Sequence, residues 1–313
     1  METIVTLTLN PAVDGSADAE VVRPTHKIRT TNERYDPGGG GINVSRVIQS
    51  LGGDALAVYL AGGATGSVLD ELLDARGLRR LRLPIRDHTR VSHAVHERST
   101  GLEYRFVPEG PLVAEAEWTA CLSTVADLDW HVLVASGSLA RGVPEDVYVR
   151  LQRLAAGRGG KLVLDTSGPA LKAALQHGGL YLVKPSIGEF ESLVGRTLGT
   201  KAEVGTAAAD LVTAGRAEIV AVTLGHEGAV LATAGETLYL PAPDVEARSA
   251  VGAGDSFVAA MTYALSLGRP AAEALALGVA AGSAAVLSPG NDLCAKPDVD
   301  RLFEVVNGTA VRL

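Results

Sequence analysis

Residues Ile4 to Leu9 alternate apolar and polar side chains before Asn10-Pro11 interrupts them, the pattern of a strand ending in a turn. Asp14 comes just past that strand end, where open α/β sheets meet their ligands. Residues 17 to 35 hold short polar runs with β-like alternation, His26, Lys27 and Arg29 among them. Arg90 to His96 and Glu103 to Val107 alternate around Ser99-Thr100-Gly101, which predicts a hairpin. The segments within about 15–36 and 88–108 are therefore expected to leave the main sheet as a small β-sheet lid.

Between and after these segments the period lengthens. Val44, Val47, Ile48 and Leu51 are spaced for one face of a helix, and a second helix is expected from Val68 to Arg76. The small-residue run Ala61-Gly62-Gly63-Ala64-Thr65-Gly66 reads as the loop before it. From about residue 110 short apolar strands each lead to a polar or glycine turn and then a helix. Val132–Ala135 leads to Ser136-Gly137-Ser138, Leu162–Leu164 to Asp165-Thr166-Ser167-Gly168, Tyr181–Val183 to Lys184-Pro185-Ser186, and Ile219–Val222 to Thr223-Leu224-Gly225. Strands this apolar belong to a parallel sheet covered on both faces, with ligands at the C-terminal edge. The expected fold is a doubly wound, mostly parallel α/β sheet with helices on both faces, in a single domain over residues 1–313.

Composition narrows the chemistry. With 47% hydrophobic residues a large core is expected, and a net charge of −8 argues against nucleic acid or an anionic membrane as partner. The apolar segment from Ala271 to Leu287 carries Glu273, glycines and serines, so it reads as a buried helix, not a membrane span. Cys121 and Cys294 are not in metal-ligand spacing, and Met1–Leu7 lacks a basic leader; a reducing, cytoplasmic setting is the expectation.

Two glycine-rich stretches carry candidate chemistry. Gly38-Gly39-Gly40-Gly41 opens the helix that carries Asn43 on its first turn, where its amide could reach ligand hydroxyls. Gly252-Ala253-Gly254 precedes Asp255 and another apolar helix. Free N–H groups at such a helix start attract anions, and a carboxylate among them is out of place unless it acts as a base. Asp255 would then take a proton from a substrate hydroxyl while the amides hold the phosphoryl group being attacked. The plain alternative is a carboxylate that only caps its helix.

From Leu7 to about Cys294 the chain resembles the ribokinase-like sugar kinases of the PfkB family, whose two signatures are these stretches. Leu7-Thr8-Leu9-Asn10-Pro11 and Ala61–Gly66 resemble the branch that phosphorylates sugar phosphates. Four glycines, in place of Gly-Gly-Lys-Gly, are similar to the members that use ATP and fructose 6-phosphate; Tyr104–Val107, Leu182–Pro185 and Val279–Ala285 point the same way. The resemblance implies transfer of the γ-phosphoryl of MgATP to the sugar 1-hydroxyl. Tagatose 6-phosphate, fructose 1-phosphate or a non-catalytic sensor role remain the alternatives.

The resemblance also implies roles. Asp255 would be the base, with Gly252, Ala253 and Gly254 as the anion hole. Asp14, Gly39, Gly40, Asn43 and Ser138 would hold the sugar, and Lys27, Arg29 and Arg90 its 6-phosphate, some reaching from a partner's lid. Lys184, Ser186, Thr223, Gly225, Gly228 and Ser283 would bind the nucleotide, and Glu189 would organise Mg2+ through water. Ser249, Val251, Ala285, Ser288 and Gly290 match a monovalent-cation site, for K+. Apolar lid edges predict a homodimer clasped through the lids. Three positions depart from the family: Ser186 replaces an asparagine, Ala140-Arg141 a proline pair, and Asp292 a basic residue.

Overall fold

The computed structural model describes residues 2–249, 251–288 and 292–313. The chain opens with β1 (Ile4–Thr8), passes through β2 (Ala12–Ala19) and β3 (Thr30–Gly38), and enters helix α1 (Gly40–Ser50). It continues through β4 (Ala55–Gly62), α2 (Gly63–Asp74), β5 (Arg80–Ile85), β6 (Arg90–Glu97) and β7 (Glu103–Phe106). Alternating units come next: α3 (Glu115–Asp127), β8 (Val132–Ser136), α4 (Val147–Arg158), β9 (Lys161–Asp165), α5 (Gly168–His177) and β10 (Leu180–Val183). They lead into α6 (Ile187–Val194), α7 (Lys201–Thr213), β11 (Ala217–Thr223), β12 (Ala229–Ala232) and β13 (Thr237–Leu240). The chain closes with α8 (Ala253–Ser266), α9 (Ala271–Ala285), α10 (Lys296–Val306) and β14 (Val311–Arg312).

Ten of these strands form one sheet in the order β14-β13-β12-β11-β10-β9-β8-β1-β4-β5. From β5 to β11 every pairing is parallel. Side chains alternate between two apolar layers. Val5, Leu7, Leu133, Leu162 and Leu164 face a core completed by α3 to α7, with Trp118, Tyr148 and Phe190. Ile4, Val132, Val134 and Val163 face α1, α8, α9 and α10. Strands covered on both sides have no polar face to present, which is why they read as continuous apolar runs.

The rhythm of strand, turn and helix breaks after β11. The residues between Thr223 and Ala229 are too few for a parallel crossover. The chain instead turns back through a short 3-10 turn, Gly225–Glu227, and β12, β13 and β14 add an antiparallel edge. The Ala61–Gly66 run is likewise no loop: β4 continues to Gly62 and α2 starts at Gly63.

The second sheet has the order β3-β2-β6-β7, with β2 and β6 parallel and the outer pairs antiparallel. Asp14 lies inside β2 and not in a turn, opposite Asp36 on one side and Ser92 on the other. Pairing on both edges of β2 draws this short polar segment into a strand, a long-range effect that local pattern cannot display. Among the described residues no helix is long and apolar enough to cross a membrane.

Candidate active site

Parallel strands end together, so Thr8, Ser136, Asp165, Lys184 and Thr223 gather along one edge of the large sheet. The first glycine cluster brings α1 down onto this edge. A Cβ on Gly40 would stand 2.2 Å from Ser136 Oγ, and one on Gly41 would stand 2.6 Å from the Leu7 carbonyl, so no side chain fits. Ile42 N donates to Thr8 Oγ1 (2.9 Å), which fixes the start of the helix against β1. Asn43, one turn in, then donates through Nδ2 to Asp255 Oδ2 (2.8 Å).

Asp255 sits in the first turn of α8. Gly252 caps this helix in the left-handed region (φ 73°), a conformation that favours glycine. The first helical bond runs from Ser256 N to Gly252 O (2.8 Å), so the amides of Ala253, Gly254 and Asp255 precede it without an intrahelical acceptor. Burial, reinforced by the charge of Asp165, pushes the Asp255 pKa up to about 6, while the bond from Asn43 and the charge of Lys184 restrain it.

Strand register supplies the next layer. Ser136 and Asp165 are paired neighbours at the ends of β8 and β9, and Ser136 Oγ donates to Asp165 Oδ2 (3.3 Å). Lys184 Nζ meets Asp165 Oδ1 at 3.1 Å, with the lysine side chain only 7% exposed. Burial works against that charge, but Asp165, Glu189 and Asp255 outweigh it and hold the Lys184 pKa above its ordinary value. The same amine approaches Gly254, where an added Cβ would lie 3.4 Å from it. The sequence pattern marks Asp165 only as a turn residue. An acid directly after an apolar strand, on the ligand edge, is the signal that could have found it.

Two cavities are lined by residues of this helix start. One, of about 200 Å³, is lined by Gly40, Ser136, Ser138, Asp165, Glu189 and Asp255. The other, of about 760 Å³, is lined in part by Ala253 and Gly254. Lys184, Ser186, Thr223, Gly225, Gly228 and Ser283 all line it, with Ile187, Val245, Phe257 and Val279 as its apolar walls. Large volume, apolar walls and a few convergent polar groups suit a small-molecule ligand.

The remaining candidates are spread more widely. Asp14 lies over Gly38, whose added Cβ would be 1.9 Å from its Oδ2; burial holds the Asp14 pKa above normal despite its Ser92 hydrogen bond and Arg90 nearby. Gly39 adopts φ 117° where the chain turns from β3 into α1. Ser138 Oγ accepts from Asn10 Nδ2 (3.1 Å). Arg90 donates to the carbonyls of Pro108 (3.0 Å) and Asn10 (2.9 Å), and its Nε is buried without a hydrogen-bond partner. Lys27 and Arg29 lie on the exposed connection between β2 and β3 and line neither cavity. Glu189 Oε2 accepts from Ser186 N (2.8 Å), while Oε1 has no hydrogen bond among the described residues. Ser249 N donates to Val286 O (3.3 Å), which places Ser249 and Val251 beside the end of α9 at Ala285 and Ser288; Gly290 lies outside the described residues.

Each family departure has a structural partner. Ser186 caps α6, accepting from Glu189 N (3.5 Å). Arg141 Nε donates to Gly110 O (3.0 Å), tying down the loop beside Asn10. Asp292 accepts from Arg34 NH1 (2.9 Å) of β3, a pairing that a basic residue at 292 could not make.

Comparison with known proteins gives a consistent answer. Residues 7–298 match the description "pfkB family carbohydrate kinase". The "ATP-dependent 6-phosphofructokinase isozyme 2" of Mycobacterium tuberculosis H37Rv is 44% identical over 306 residues, covering 96% of this chain and 89% of that one. The crystal structure of phosphofructokinase-2 from Escherichia coli in complex with potassium superposes with a TM-score of 0.94 at 39% identity, over 97% of this chain and 99% of that one. The structure of the same enzyme in complex with fructose-6-phosphate gives 0.91 at 38%, over 98% and 99%. With the match running nearly end to end, and with both glycine signatures at one edge of the sheet, the chain belongs to the pfkB family of carbohydrate kinases.

Proposed function

We propose that this chain transfers the γ-phosphoryl group of ATP to the 1-hydroxyl of fructose 6-phosphate, giving fructose 1,6-bisphosphate and ADP. The observation that carries this reading is the position of Asp255, which lines the smaller cavity directly behind Ala253 and Gly254, which line the larger one. The names of the mycobacterial and E. coli relatives, one of which is described with fructose-6-phosphate, supply the sugar.

In this reading the nucleotide lies in the larger cavity, its phosphates directed toward Lys184 and the free amides of Ala253 and Gly254. The sugar enters from the side of Asp14, Asn43 and Ser138. Asp255 accepts the proton of the 1-hydroxyl as that oxygen bonds to phosphorus and the bond to the leaving ADP oxygen breaks. The proton then leaves to solvent with the product. Phosphoryl transfer asks mainly for positioning and charge neutralisation, and amides fixed at a helix start provide both without reorganising.

Magnesium, bound with ATP, would add positive charge on the phosphate oxygens. Glu189 would hold it through water. Among the described residues there is no cluster of three or more ligating side chains, which fits an ion carried largely by phosphate and water. For K+ the chain offers Ser249, Val251, Ala285 and Ser288 near the C-terminal end of α9, where the helix dipole favours a cation; Gly290, the fifth residue assigned to this ion, lies outside the described residues. Lys27, Arg29 and Arg90 are assigned to the 6-phosphate, the first two across a subunit boundary. That boundary is the exposed face of the second sheet, which carries Tyr35 and Phe106, in a homodimer. We place the enzyme in a reducing cytoplasm, where Cys121 and Cys294, both buried and free, stay as thiols.

A coupled assay of ADP release over a panel of sugar phosphates tests the substrate. Highest kcat/KM on fructose 6-phosphate is expected. A clear preference for tagatose 6-phosphate or fructose 1-phosphate would replace the substrate, and absence of ADP release with every sugar would sink the kinase reading.

A further inference from the structure

We propose that Arg46 is a positioning residue for phosphoryl transfer: by holding the side-chain oxygen of Asn43, it keeps the Asn43 amide N–H on the Asp255 carboxylate. The inference rests on the reading of Asp255 as the base and adds a residue that neither glycine signature contains.

Arg46 and Asn43 are three apart on α1, so their side chains share one face of the helix. Arg46 NH1 donates to Asn43 Oδ1 (3.1 Å) and to the carbonyl of Pro37 (3.0 Å) in β3. Asn43 Nδ2 in turn donates to Asp255 Oδ2 (2.8 Å). The chain of contacts therefore runs from β3 through α1 to the reacting carboxylate.

A carboxamide is nearly symmetric in shape but opposite in chemistry at its two ends. Turned over, Asn43 would set an acceptor oxygen against an ionised carboxylate oxygen, and the two would repel. A guanidinium has donors only, so Arg46 accepts one orientation of the amide and rejects the other. Among the described residues it is the one donor to Asn43 Oδ1.

The surroundings keep Arg46 charged and in place. Facing it are Arg76 at the end of α2, Arg34 and Asp36 on β3, and Asp292. Burial, and after it the charge of Arg76, brings its pKa down to about 10, well above any assay pH near neutrality. The charges facing Asp255 are Asp165, Lys184 and Asp14, none of which contacts Asn43 Oδ1.

The experiment is a double-mutant cycle with Arg46→Met, Asn43→Ala and the pair, in the full-length protein, reading kcat, KM for ATP and the pH profile of kcat/KM for the sugar. Arg46→Met is expected to lower kcat about tenfold, the usual worth of a hydrogen bond to a charged group. It should also move the acid limb of the profile upward by about half a pH unit, because a carboxylate that loses a fixed donor holds its proton more tightly. KM for ATP should not move. In the Asn43→Ala background Arg46→Met should have less than about a twofold further effect, since its route to Asp255 is already gone. Equal losses in both backgrounds, or a lower melting temperature with an unmoved pH profile, would overturn the proposal. If Arg46→Met does not fold, Arg46→Lys is the second variant: its single ammonium cannot hold both oxygens, and a smaller displacement of the acid limb in the same direction is expected, an unmoved limb counting against. Full turnover by Asp255→Asn would defeat the base assignment itself, whereas a dead Asp255→Asn beside a normal Arg46→Met defeats only the role given to Arg46.

Discussion

Asn43 and Asp255 are 212 positions apart in the chain, and the carboxamide of the first donates a 2.8 Å hydrogen bond to the carboxylate of the second. The contact joins the two glycine-opened helices α1 and α8, which pack side by side on one face of the sheet. It gives Asp255 a fixed direction and a partial counterweight to burial.

Asp255→Asn should lose on the order of 10² to 10⁴ in turnover, the range for a general base, with the circular dichroism spectrum unchanged. In the wild type kcat/KM should fall with unit slope below the pKa of about 6, because the protonated carboxyl cannot accept a second proton. The same shift has an opposite sign for stability. The folded state binds this proton more tightly than the unfolded state, whose value is near 3.8, so the favourable contribution is complete below 3.8 and is lost as pH rises through about 6. Asp255→Asn should therefore melt higher than wild type at pH 8, by roughly 2–4 °C, with a smaller gain at pH 5. A lower melting temperature at pH 8 would contradict the burial argument.

Lys184 and Asp165 form a pair 3.1 Å apart with little exposure. Removing one member leaves a buried charge without its partner, so Lys184→Met should destabilise by about 3–5 kcal/mol in urea unfolding. The double variant Lys184→Met, Asp165→Asn should recover much of that loss while remaining poor in ATP turnover. Equal stability of the single and double variants would show that the pair is not coupled.

Gly40→Ala places a methyl group 2.2 Å from Ser136 Oγ and 2.9 Å from Gly137 N, so α1 must lift away from β8. A loss of about 1–3 kcal/mol and a much larger loss of activity are expected, since Asn43 moves with the helix. Gly188→Ala, in the first turn of α6, meets nothing within 4 Å and should be neutral or stabilising by about 0.5–1 kcal/mol. Thermal melts and specific activities of the two variants, measured side by side, decide whether close approach explains the glycine cluster.

Tyr35 on β3 and Phe106 on β7 are 48% and 59% exposed, unusual for large apolar side chains on a sheet. If a second copy covers them, Tyr35→Asp with Phe106→Asp should shift sedimentation from dimer to monomer and raise KM for the sugar. A wild-type chain that already sediments as a monomer at micromolar concentration would remove the dimer from the proposal.

Much of this arrangement is legible in the sequence. The apolar strands Val132–Ala135 and Leu162–Leu164 and the polar residues at their ends come from alternation and composition, because a strand buried on both faces can hold few polar side chains. The six nucleotide candidates that the family resemblance implies line one cleft, Lys184, Ser186, Thr223 and Gly225 because parallel strands end on one side, Gly228 from the turn into β12 and Ser283 from α9. Local pattern fails where partners far along the chain decide the outcome. Asp14 is held in a strand by β3 and β6, β12 forms a hairpin with β11 where the pattern predicts a helix, and Asp165 acquires its importance only beside Lys184 and Asp255.

The sequence by itself determined the family, the doubly wound sheet and the presence of an acid behind a run of small residues at a helix start, since these rest on periodicity and on short motifs. Only the tertiary structure decided which groups face that acid. Its pKa, its hydrogen bond from Asn43 and the reach of Arg46 depend on distances of a few ångströms between elements remote in the chain, and electrostatic and hydrogen-bond energies vary steeply over such distances.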